Sequence, residues 1–506
     1  MENLQAFDVI RLLEHTQLII TQTVYKTKLI SDKKIEGRLV INIDNIKEPV
    51  TFSNCEFDDI FIHNASIVAI EFNNCTFTKD FDITYIKASS LRLYNCDFLK
   101  KFFIRNCKID TLHLHKSESQ NGINIEGGIL RIIDIIPVNE KTQFSFIGKF
   151  LLIEFLAVQS TSGITLLADK AVINSIHING YYNVSSRLNF NQIINERIEL
   201  ENLNNDGKIY FTHLKQAGVK GFLDLPLKKY LQAFNESNEA HQKEINFINE
   251  ISAKHSTLEL LMGYLPVFYF KDFIEKNFFT DFLSYKENIS VKFLINNSSA
   301  GILELKNIKF EQYKLELLNS DLSAVKLINS HIPDVGVSDN YLNYYNVYND
   351  LYTSAAKQNN TKDKIDYYRI SQQYLYKYLR YESTAKKGHI GSRISITVSL
   401  LYSNHGTDWL KACLVTLVGS LFFFILFVYS LKDVELDPSL SGLRIFFKTY
   451  LLPFFPQFIN PLHRIDFMNQ TDVLGTWSSL VDFFSRIIVS IGIFEIIRSF
   501  RKHVRS

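Results

Sequence analysis

The chain has 506 residues, and its 55 Lys and Arg against 53 Asp and Glu give a formal net charge of only +2. This length exceeds a single compact core, so we expect several structural units. The balanced charge excludes a histone-like binder of nucleic acid and an acidic mimic of DNA, and any charged partner must be met by a local patch. Five cysteines without a Cys-x-x-Cys pair argue against a disulfide framework and indicate a reducing compartment.

The first residues, MENLQAFDVIRLLEHTQL, do not have the pattern of a secretory signal. Acidic side chains come early, and no unbroken apolar core precedes a small-residue cleavage site. We therefore expect this end of the chain to stay in the cytoplasm.

Residues 52–110 repeat with two nested periods. Apolar residues recur at steps of five, a spacing that matches neither a helix nor a plain strand and indicates a solenoid. They are Phe57, Ile62, Ile67, Phe72 and Phe77. An Asn-x-x-apolar string begins at Asn54, Asn74, Asn95 and Asn106, and the first three lie 20 and 21 residues apart. We expect this distance to be the length of one four-sided coil.

The cysteines follow the same coil and should stack with their thiols turned inward. They are Cys55, Cys75, Cys96 and, about half a coil further on, Cys107. Zinc ligands normally arrive in close pairs on turns, whereas small buried thiols are common in protein cores. His113 and His115, which alternate on one strand, are equally weak as ligands. We expect neither a metal nor another cofactor.

Residues 52–110 resemble the pentapeptide-repeat family. The resemblance implies a right-handed quadrilateral β-helix with a small residue and a Leu or Phe inside each side. Later stretches such as KAVINSIHING stay β-rich with irregular spacing, and the Asn-x-x-apolar string returns at Asn307, Asn319 and Asn329. We predict a β-solenoid over residues 1–225 that resumes over residues 287–337.

Residues 226–286 are predicted to form a helical insertion. The segment QAFNESNEAHQKEINFINEI is rich in Glu, Lys and Gln, which favour helices. The apolar stretch at 258–270 is short and contains Pro266, which favours a buried or interfacial helix over a membrane span.

Residues 338–392 predict a helical stalk in two parts. The first helix has an N-cap at Ser338 or Asp339, an apolar stripe at helical spacing, and an end at KQNN, 357–360. The stripe is Tyr341, Tyr345, Tyr348, Tyr352 and Ala355. A second helix follows over residues 361–382.

The second stalk helix interleaves aromatic and basic residues. Such a surface can stack the bases and neutralise the phosphates of a single strand. The candidates for ligand binding or gating are Lys362, Lys364, Arg369, Lys377, Arg380, Tyr368 and Tyr378. The alternative is a helical hairpin that packs its tyrosines and leaves its lysines in solvent, and both can hold together. The basic stretch AKKGHIGSRIS that follows can meet anionic lipid headgroups.

Residues 393–506 predict a membrane domain with two spans. The segment from Ala412 to Leu431 has 20 residues without a charge, enough to cross a bilayer core of about 30 Å. The second candidate runs from Leu480 to Phe500. Basic residues precede the first span and follow the second, which predicts that both ends face the cytoplasm. They are Lys386, Lys387, Arg393 and Lys411, then Arg498, Arg501, Lys502 and Arg505.

The connection between the two candidate spans, 432–479, has an interrupted apolar core at 441–462. The interruptions are Arg444, Lys448, Pro453 and Pro456. A third complete crossing would invert the basic C-terminus, so a re-entrant or surface-lying segment fits better.

The second candidate span is unusually polar for a lipid-facing helix. Its polar residues are Asp482, Arg486, Glu495, Ser485 and Ser490. A charge at the bilayer centre costs about 2.5 to 3.5 kcal/mol, so these residues indicate pairing, an aqueous lining or positions near the interface. Asp482 and Arg486 are four residues apart and can pair, and Glu495 can reach Arg498. We expect this helix to face other protein or water within a homo-oligomer, because two spans cannot enclose a channel.

From about residue 340 onward the chain resembles bacterial membrane proteins that join pentapeptide repeats to a two-span module similar to the pore domain of ion channels. The matching strings are NVYNDLYTSAAKQNN, SLLYSNHGTDWLKACLVTL, FINPLHRIDF and LVDFFSRIIVSIGIFEIIRSFRKH. The resemblance implies an antiphage effector of the bacterial inner membrane, tetrameric by analogy, in which a cytoplasmic sensor controls a pore. The sequence has no Thr-x-Gly-Tyr-Gly filter, so the resemblance implies no ion selectivity.

The function predicted from these patterns is a gated channel that depolarises the membrane. A nucleotide or oligonucleotide, made by a partner protein, would open it by binding the open state more tightly. The alternative is a membrane-anchored scaffold without conductance. An enzyme fits least, since the sequence has no Gly-rich phosphate loop, HExxH, GxSxG or paired cysteines. Asp408 beside His405 is better explained by a helix N-cap at Thr407 or Asp408 than by acid–base chemistry.

Overall fold

A computed structural model divides the chain into two compact units, Met1–Val335 and Gly336–Ser506. The structure describes residues 2–14, 28–42, 48–63, 65–137, 142–216, 291–336, 339–382, 390–431, 439–463 and 475–504. The helical insertion predicted over 226–286 lies outside these residues, and so do Ser338, Lys386, Lys387 and Arg505.

The first unit is a parallel β-solenoid of about ten turns, which confirms the predicted class of fold. A short helix, α1 (Ala6–Glu14), follows the first strand, and a 3-10 turn lies at Phe310–Gln312. The strands are β1 (Glu2–Gln5), β2 (Lys28–Ser31), β3 (Lys33–Ile41), β4 (Val50–Ser53), β5 (Glu56–His63), β6 (Ser66–Asn73), β7 (Thr76–Phe77), β8 (Phe81–Thr84), β9 (Lys87–Tyr94), β10 (Asp97–Phe98), β11 (Phe102–His115), β12 (Glu118–Ser119), β13 (Ile123–Ile136), β14 (Gln143–Ser160), β15 (Thr165–Asp169), β16 (Val172–Tyr182), β17 (Arg187–Asn191), β18 (Ile194–Asn195), β19 (Arg197–Asn205), β20 (Lys208–Thr212), β21 (Lys215–Gln216), β22 (Lys292–Asn296), β23 (Ile302–Lys306), β24 (Lys314–Leu318) and β25 (Lys326–Ile328).

The turns of the solenoid differ slightly in length along the chain. Val50 pairs with Ile70 in the next coil, whereas Gly128 pairs with Leu151 across a somewhat longer turn. Parallel pairing continues through residues 111–216, where the sequence spacing is irregular. The pattern of apolar residues therefore loosens in this stretch while the coil itself persists.

The solenoid also continues on both sides of residues 217–290. Arg197 of β19 pairs with Lys292 of β22 in the same parallel sense as neighbouring coils elsewhere. Lys292 pairs in turn with Lys314 of β24, one coil further on. The strands that follow this segment thus extend the original stack.

The Asn-x-x-apolar string marks a corner of the coil. Asn54, Asn74 and Asn95 have φ angles of 53°, 52° and 51°, in the left-handed region that asparagine tolerates better than most residues. Their side chains form a ladder, in which Asn95 Nδ2 donates to Asn74 Oδ1 at 3.1 Å and Asn74 Nδ2 to Asn54 Oδ1 at 3.2 Å. The later strings place the same conformation at Asn106, Asn307, Asn319 and Asn329.

The core of the solenoid is built from the predicted five-step series. All five residues of the series are at most 3% exposed. Phenylalanine rings stack from coil to coil, with the centroids of Phe57 and Phe77 5.1 Å apart and those of Phe77 and Phe98 4.7 Å apart. Burial of such rings adds to the apolar contribution that stabilises this unit.

The predicted inward thiol column is confirmed. Cys55, Cys75 and Cys96 are at most 1% exposed, and Cys96 Sγ donates to Phe72 O in the preceding coil at 3.3 Å. Ser117 continues the column, with its hydroxyl on Leu93 O at 3.2 Å. Cys107 is also buried, which raises the pKa of its thiol to about 12 and keeps it protonated.

The second unit contains seven described helices and confirms a helical region after the solenoid. Two π-helical turns, Tyr378–Glu382 and Phe447–Leu451, each follow directly on an α-helix of this unit. The helices are α2 (Tyr341–Lys357), α3 (Thr361–Lys377), α4 (Ile390–Ser403), α5 (Trp409–Tyr429), α6 (Leu440–Phe446), α7 (Leu452–Phe458) and α8 (Thr476–Val504).

The two stalk helices, α2 and α3, form a hairpin that packs through tyrosine rings. The ring of Tyr374 lies 5.5 Å from that of Tyr344 and 5.6 Å from that of Tyr348, centroid to centroid. The predicted stripe is therefore displaced around the helix. Tyr348 and Ala355 are buried as predicted, whereas Tyr341, Tyr345 and Tyr352 are only partly buried, since Tyr344, Val347 and Leu351 occupy the core.

The ends of the stalk helices follow the sequence signals closely. The predicted break at 357–360 is confirmed, and Asn360 caps α3 by accepting a hydrogen bond from the backbone N–H of Asp363. The predicted cap of α2 was wrong by one residue or more, because α2 follows Asn340, whose φ is 52°. An asparagine in the left-handed conformation starts this helix without a side-chain cap.

Candidate functional site

Helices α5 and α8 pack side by side in opposite directions. Ser430, at the end of α5, donates to Ser478 Oγ near the start of α8 at 3.0 Å. At the other end the rings of Trp409 and Phe500 meet edge to face at 6.2 Å. Asp408 caps α5 by accepting a hydrogen bond from the backbone N–H of Lys411 at 2.8 Å, as predicted.

Small residues form the contact between α5 and α8. Ala412, Thr416 and Ser420 follow one another at steps of four on α5 and are buried. Gly492 of α8 is so close to this stripe that an added Cβ would clash with Thr416 Oγ1. Close approach through small residues is typical of helix packing inside membranes, where burying large apolar side chains gains nothing.

The outward faces of the same helices are large and apolar. Leu414 of α5 is 63% exposed and Phe494 of α8 is 63% exposed. The other strongly exposed apolar residues are Leu410, Leu417, Val418, Phe422 and Ile425 on α5, and Leu480, Phe483, Phe484, Ile487, Ile497 and Phe500 on α8. Among the described residues, only α5 is long and apolar enough to be counted as a candidate membrane span by composition.

Asp482 and Arg486 pair within α8, and a histidine from the preceding turn joins them. Arg486 Nε donates to Asp482 Oδ2 at 2.9 Å, and His463 Nε2 lies 2.8 Å from Asp482 Oδ1. Arg486 Nη2 also donates to the backbone oxygen of His463 at 2.9 Å. The side chains of His463 and Asp482 are 3% and 6% exposed, so the contact between them is shielded from solvent.

The turn that carries His463 is itself held in place. Nδ1 of His463 lies 2.7 Å from Asn460 O, and the Phe458 ring stacks on the imidazole at 5.2 Å. Both ring nitrogens of His463 therefore face oxygen atoms of the chain. The hydrogen bonds among His463, Asp482 and Arg486 thus hold the turn after α7 against the first part of α8.

Glu495 is the centre of a second buried network near the other end of α8. Its carboxylate accepts hydrogen bonds from the hydroxyls of Ser403 and Ser399 of α4, and from Arg498 Nη1 at 3.0 Å. Arg498 Nη1 donates to Ser399 Oγ as well, at 3.1 Å. The Glu495 side chain is 5% exposed, and the predicted pairing with Arg498 is present.

This second network reaches the stalk through Tyr368 of α3. Arg498 Nη2 donates to the Tyr368 hydroxyl at 3.0 Å, and Lys502 Nζ lies 3.3 Å from the centre of its ring. Burial, reinforced by the positive charge of Arg498, lowers the pKa of Lys502 to about 7. A side chain of the stalk hairpin is therefore in direct polar contact with the last turns of α8.

The turn between α4 and α5 has an unusual backbone conformation. Asn404, His405 and Gly406 have φ angles of 48°, 64° and 74°, three successive left-handed residues. His405 is 1% exposed, and neither ring nitrogen has a hydrogen-bond partner among the described residues. Burial and the charges of Arg498 and Lys502 lower the pKa of His405 to about 4. Such a conformation in a non-glycine residue stores strain and persists only when the surroundings enforce it.

The remaining candidates from α8 separate into two environments. Ser485 is buried, and its hydroxyl has no hydrogen-bond partner in the part of the chain that the structure describes. Ser490 is exposed among the apolar residues of the outward face. The structure therefore brings together Asp482 with Arg486, and Glu495 with Arg498, but not these two groups with Ser490.

The basic candidates of the stalk do not converge on one point. Lys377 lies over the Tyr374 ring at 5.0 Å, and Arg380 over the Tyr381 ring at 5.6 Å, both near the end of the hairpin. Arg369 pairs with Asp366 at 3.4 Å. Lys362 is exposed and Lys364 and Tyr378 are half-buried.

Several residues of these networks were missed by sequence reasoning. Ser399 and Ser403 come from α4 and belong to the string SLLYSNHGTDWLKACLVTL, which was noted without a role for either serine. His463 belongs to the string FINPLHRIDF, which was noted without a role. The available signal was the charge count of the second span, since buried ions need partners and those partners had to come from neighbouring segments.

Comparison with known protein families, curated proteins and solved structures finds no significant match to this chain. The class that the structure itself defines is a parallel β-solenoid followed by a helical unit with one apolar helix of membrane-spanning length.

Proposed function

We propose that the protein is an oligomeric membrane channel in which α5 and α8 cross the bilayer as an antiparallel pair. The observation that carries this proposal is the reversed polarity of the pair, with small and ionised residues inside and large apolar residues outside. Lipid is the solvent that favours this arrangement, because large apolar side chains gain nothing by leaving it.

The second span, α8, is supported by where its charges lie. Asp482 and Glu495 face inward at 5% and 4% exposure, and Arg498 is held by Glu495 and Tyr368. The outward face between Leu480 and Phe500 is apolar apart from Ser490. The two acidic residues of this helix, Asp482 and Glu495, are thus kept from the proposed lipid.

Aromatic residues support the same placement. Trp409 and Tyr429, at the two ends of α5, are 42% and 69% exposed, and Trp477 at the start of α8 is 70% exposed. Trp and Tyr concentrate at membrane–water interfaces, and the 21 residues of α5 separate its ends by about 30 Å. In the proposed topology both termini face the cytoplasm, with Arg498, Arg501 and Lys502 on that side.

The segment α6–α7 is proposed to lie at the far interface or to re-enter the bilayer. Phe458 packs against Phe424 and Phe427 at the end of α5, at 5.3 and 5.6 Å between centroids. Leu443 and Leu452, on other faces, are 56% and 59% exposed. These apolar faces are suited to lipid or to neighbouring copies in a homo-oligomer, for which four is the proposed number by analogy.

Gating is proposed to act through the contact between Tyr368 and the end of α8. A passive anchor has no need of a stalk residue that binds Arg498 and Lys502 within a buried network. Movement of α3 relative to α8 must break or remake these contacts, so the stalk and the span share one two-state element. In this proposal the role of Asp482, Arg486 and Glu495 is to hold the helices of one chain together, because their hydrogen-bond partners lie in the same chain.

The ligand is proposed to be a nucleotide or single-stranded oligonucleotide held at the end of the stalk hairpin. Arg380 is exposed and lies beside Tyr381, whose side chain is 58% exposed, so a base could stack there with a cation nearby for its phosphate. Most tyrosine rings of α3 pack against other side chains of the chain. This observation moves the proposed site from the middle of α3 toward Lys377, Arg380 and Tyr381.

The proposed role is that of an antiphage effector of the bacterial inner membrane, with a pentapeptide-type right-handed solenoid as the sensor region and no catalysis of its own. A partner enzyme would supply the nucleotide signal. The alternative remains a membrane-anchored scaffold, which the extensive outward surface of the solenoid would suit.

Ion flux in liposomes tests the channel proposal. The full-length chain is reconstituted with an entrapped potassium-sensitive dye, and flux is measured with and without ATP or a fluorescein-labelled oligothymidylate. Tyr368→Phe removes the hydroxyl that Arg498 binds and should change the flux, whereas Tyr345→Phe, at a half-buried position of α2 outside this network and the proposed ligand site, should not. Absence of flux in every condition, with the protein inserted, would leave the scaffold as the better interpretation.

A further inference from the structure

A cluster of two histidines and one aspartate lies on the outer surface of the solenoid. His113 and His115 alternate on β11, so both side chains point to the same, outward face of the strand. Asp134 of β13 pairs directly with His113 in the next coil. The parallel register thus brings three ligand-type side chains from two coils to one place.

The three ligand atoms lie within 4.8 Å of one another. His115 Nε2 is 2.7 Å from Asp134 Oδ2, and His113 Nδ1 is 3.5 Å from the same oxygen. His113 Nδ1 is shielded from solvent and makes no hydrogen bond to any residue that the structure describes, although it points toward the carboxylate. A buried ring nitrogen in that state has an open coordination position on the side where its neighbours converge.

We propose that His113, His115 and Asp134 bind a divalent transition-metal ion of the zinc class, with water in the remaining position. Two imidazoles and one carboxylate are donors that such ions accept, and three protein ligands plus an open position form a recurring zinc site. A tetrahedral ion with bonds of about 2.0 to 2.1 Å needs its ligand atoms roughly 3.4 Å apart. The distance between His113 and Asp134 already fits, and His115 must withdraw from Asp134 by less than an ångström.

The neighbours of the cluster leave room for a cation. Arg92, which pairs with His113 from the preceding coil, is engaged by Glu71 at 3.5 Å. On the other side, Ala157 lies beside Asp134, and its methyl group offers no competing partner for the carboxylate. The three side chains are 21% to 28% exposed, so an ion can reach them from solvent without any movement of the core.

A metal ion coordinates the neutral form of an imidazole and the ionised form of a carboxylate. The site is independent of the proposed channel, because it uses only residues of the solenoid.

Metal binding by the full-length protein tests this inference. The chain is purified in detergent without a polyhistidine tag, stripped with a chelator and dialysed against buffered Zn²⁺, and bound zinc is measured by elemental analysis. Co²⁺ is used in parallel, since its visible absorption reports nitrogen and oxygen coordination. We expect one ion per chain, and we expect His113→Ala, His115→Ala and Asp134→Asn each to weaken its binding by more than about a hundredfold, since loss of a direct ligand should exceed the about 10- to 100-fold effect of outer-shell partners.

His177→Ala is the matched control. His177 is also an outward-facing histidine of the solenoid and contacts a single carboxylate, Glu199, at 3.5 Å. It should leave the zinc stoichiometry and affinity unchanged. Far-UV circular dichroism checks that each variant keeps its β signal. Zinc binding that is unchanged in a His113→Ala/His115→Ala double variant, or weakened equally by His177→Ala, would overturn the assignment.

Discussion

The solenoid and the α5–α8 pair distribute their side chains in opposite ways. Inside the solenoid lie stacked phenylalanines, while its charged residues lie outside, as in the pair of Arg105 and Asp82 at 2.9 Å. Inside the helix pair lie Asp482 and Glu495, while leucines and phenylalanines lie outside. Apolar groups avoid water, and polar groups avoid lipid. This one principle produces both arrangements if water surrounds the solenoid and lipid surrounds the helix pair.

The difference also concerns how each unit gains stability. The solenoid buries apolar rings in register, so its stability depends on packed volume. The helix pair depends on close backbone approach and on polar groups that are satisfied by one another. Substitutions that remove each of these sources separately test whether the two units are stabilised differently.

The largest effect is expected from Phe77→Ala in the solenoid. The Phe77 ring stacks between Phe57 and Phe98, and its removal leaves a cavity that costs about 3 to 5 kcal/mol of unfolding free energy. Urea unfolding monitored by the β signal in circular dichroism measures it. Both tryptophans, Trp409 and Trp477, lie in the helical unit, so tryptophan emission reports that unit separately.

Val184→Ala is the control for this prediction, since Val184 is 79% exposed and should change the midpoint little. If Phe77→Ala shifts the tryptophan transition as much as the β transition, the two units do not unfold separately and the contrast between them weakens.

Asp482→Ala is expected to be nearly as costly in the helical unit. Arg486 and His463 would both lose their carboxylate, and breaking a buried ion pair costs about 3 to 5 kcal/mol. The loss should fall toward the lower end, because the Arg486 side chain is 30% exposed. Thermal unfolding in detergent, followed by tryptophan emission, measures it. Ser490→Ala, on the outward face, is the control, and equal effects of the two would contradict the network.

Gly492→Ala is expected to weaken the packing of α5 against α8. The new Cβ would clash with Thr416 Oγ1, and such overpacking costs about 1 to 3 kcal/mol. Gly391→Ala is the matched change in α4, where a Cβ would meet nothing within 4 Å and should cost nothing. The same thermal assay decides, and a Gly492→Ala variant as stable as the wild type would show that the contact is not tight.

Asn74→Ala tests a corner of the solenoid with a smaller effect. Alanine at a φ of 52° costs about 1 to 2 kcal/mol, and the hydrogen bonds to Asn54 and Asn95 are lost as well. Asn74→Gly accepts the same backbone conformation and should recover part of the loss. Urea unfolding by circular dichroism compares them, and equal midpoints for the two variants would mean that the conformation carries no cost there.

A pH dependence of stability is predicted from His405. Its folded pKa of about 4 lies below the ordinary value of 6.5, so the unfolded state binds the extra proton between these limits. Stability from this residue is therefore complete above pH 6.5 and lost as the pH falls toward 4. His405→Gln should flatten the fall in thermal midpoint over this window, whereas His213→Gln, at an exposed position, should not. An unchanged pH profile in His405→Gln would exclude His405 as the source.

Much of the solenoid was predictable because its signals are local. Each Asn-x-x-apolar string marks one residue in the left-handed conformation, and the apolar residues at steps of five mark side chains that the core buries. The strings after residue 111 were harder to follow because slightly longer coils shift the series without changing the fold. The apolar helix α5 and the hairpin break at 357–360 were predictable for the same reason, since length, charge and caps are properties of adjacent residues.

What no adjacent residue could reveal was the choice of partners. Asp482 meets Arg486 within its own helix but also His463 from the preceding turn, and Glu495 finds its serines on α4, far earlier in the chain. Asp134 joins His113 and His115 only because the coil length sets the parallel register. Periodicity specifies each element through neighbours along the chain, whereas contacts between distant segments depend on how those elements pack.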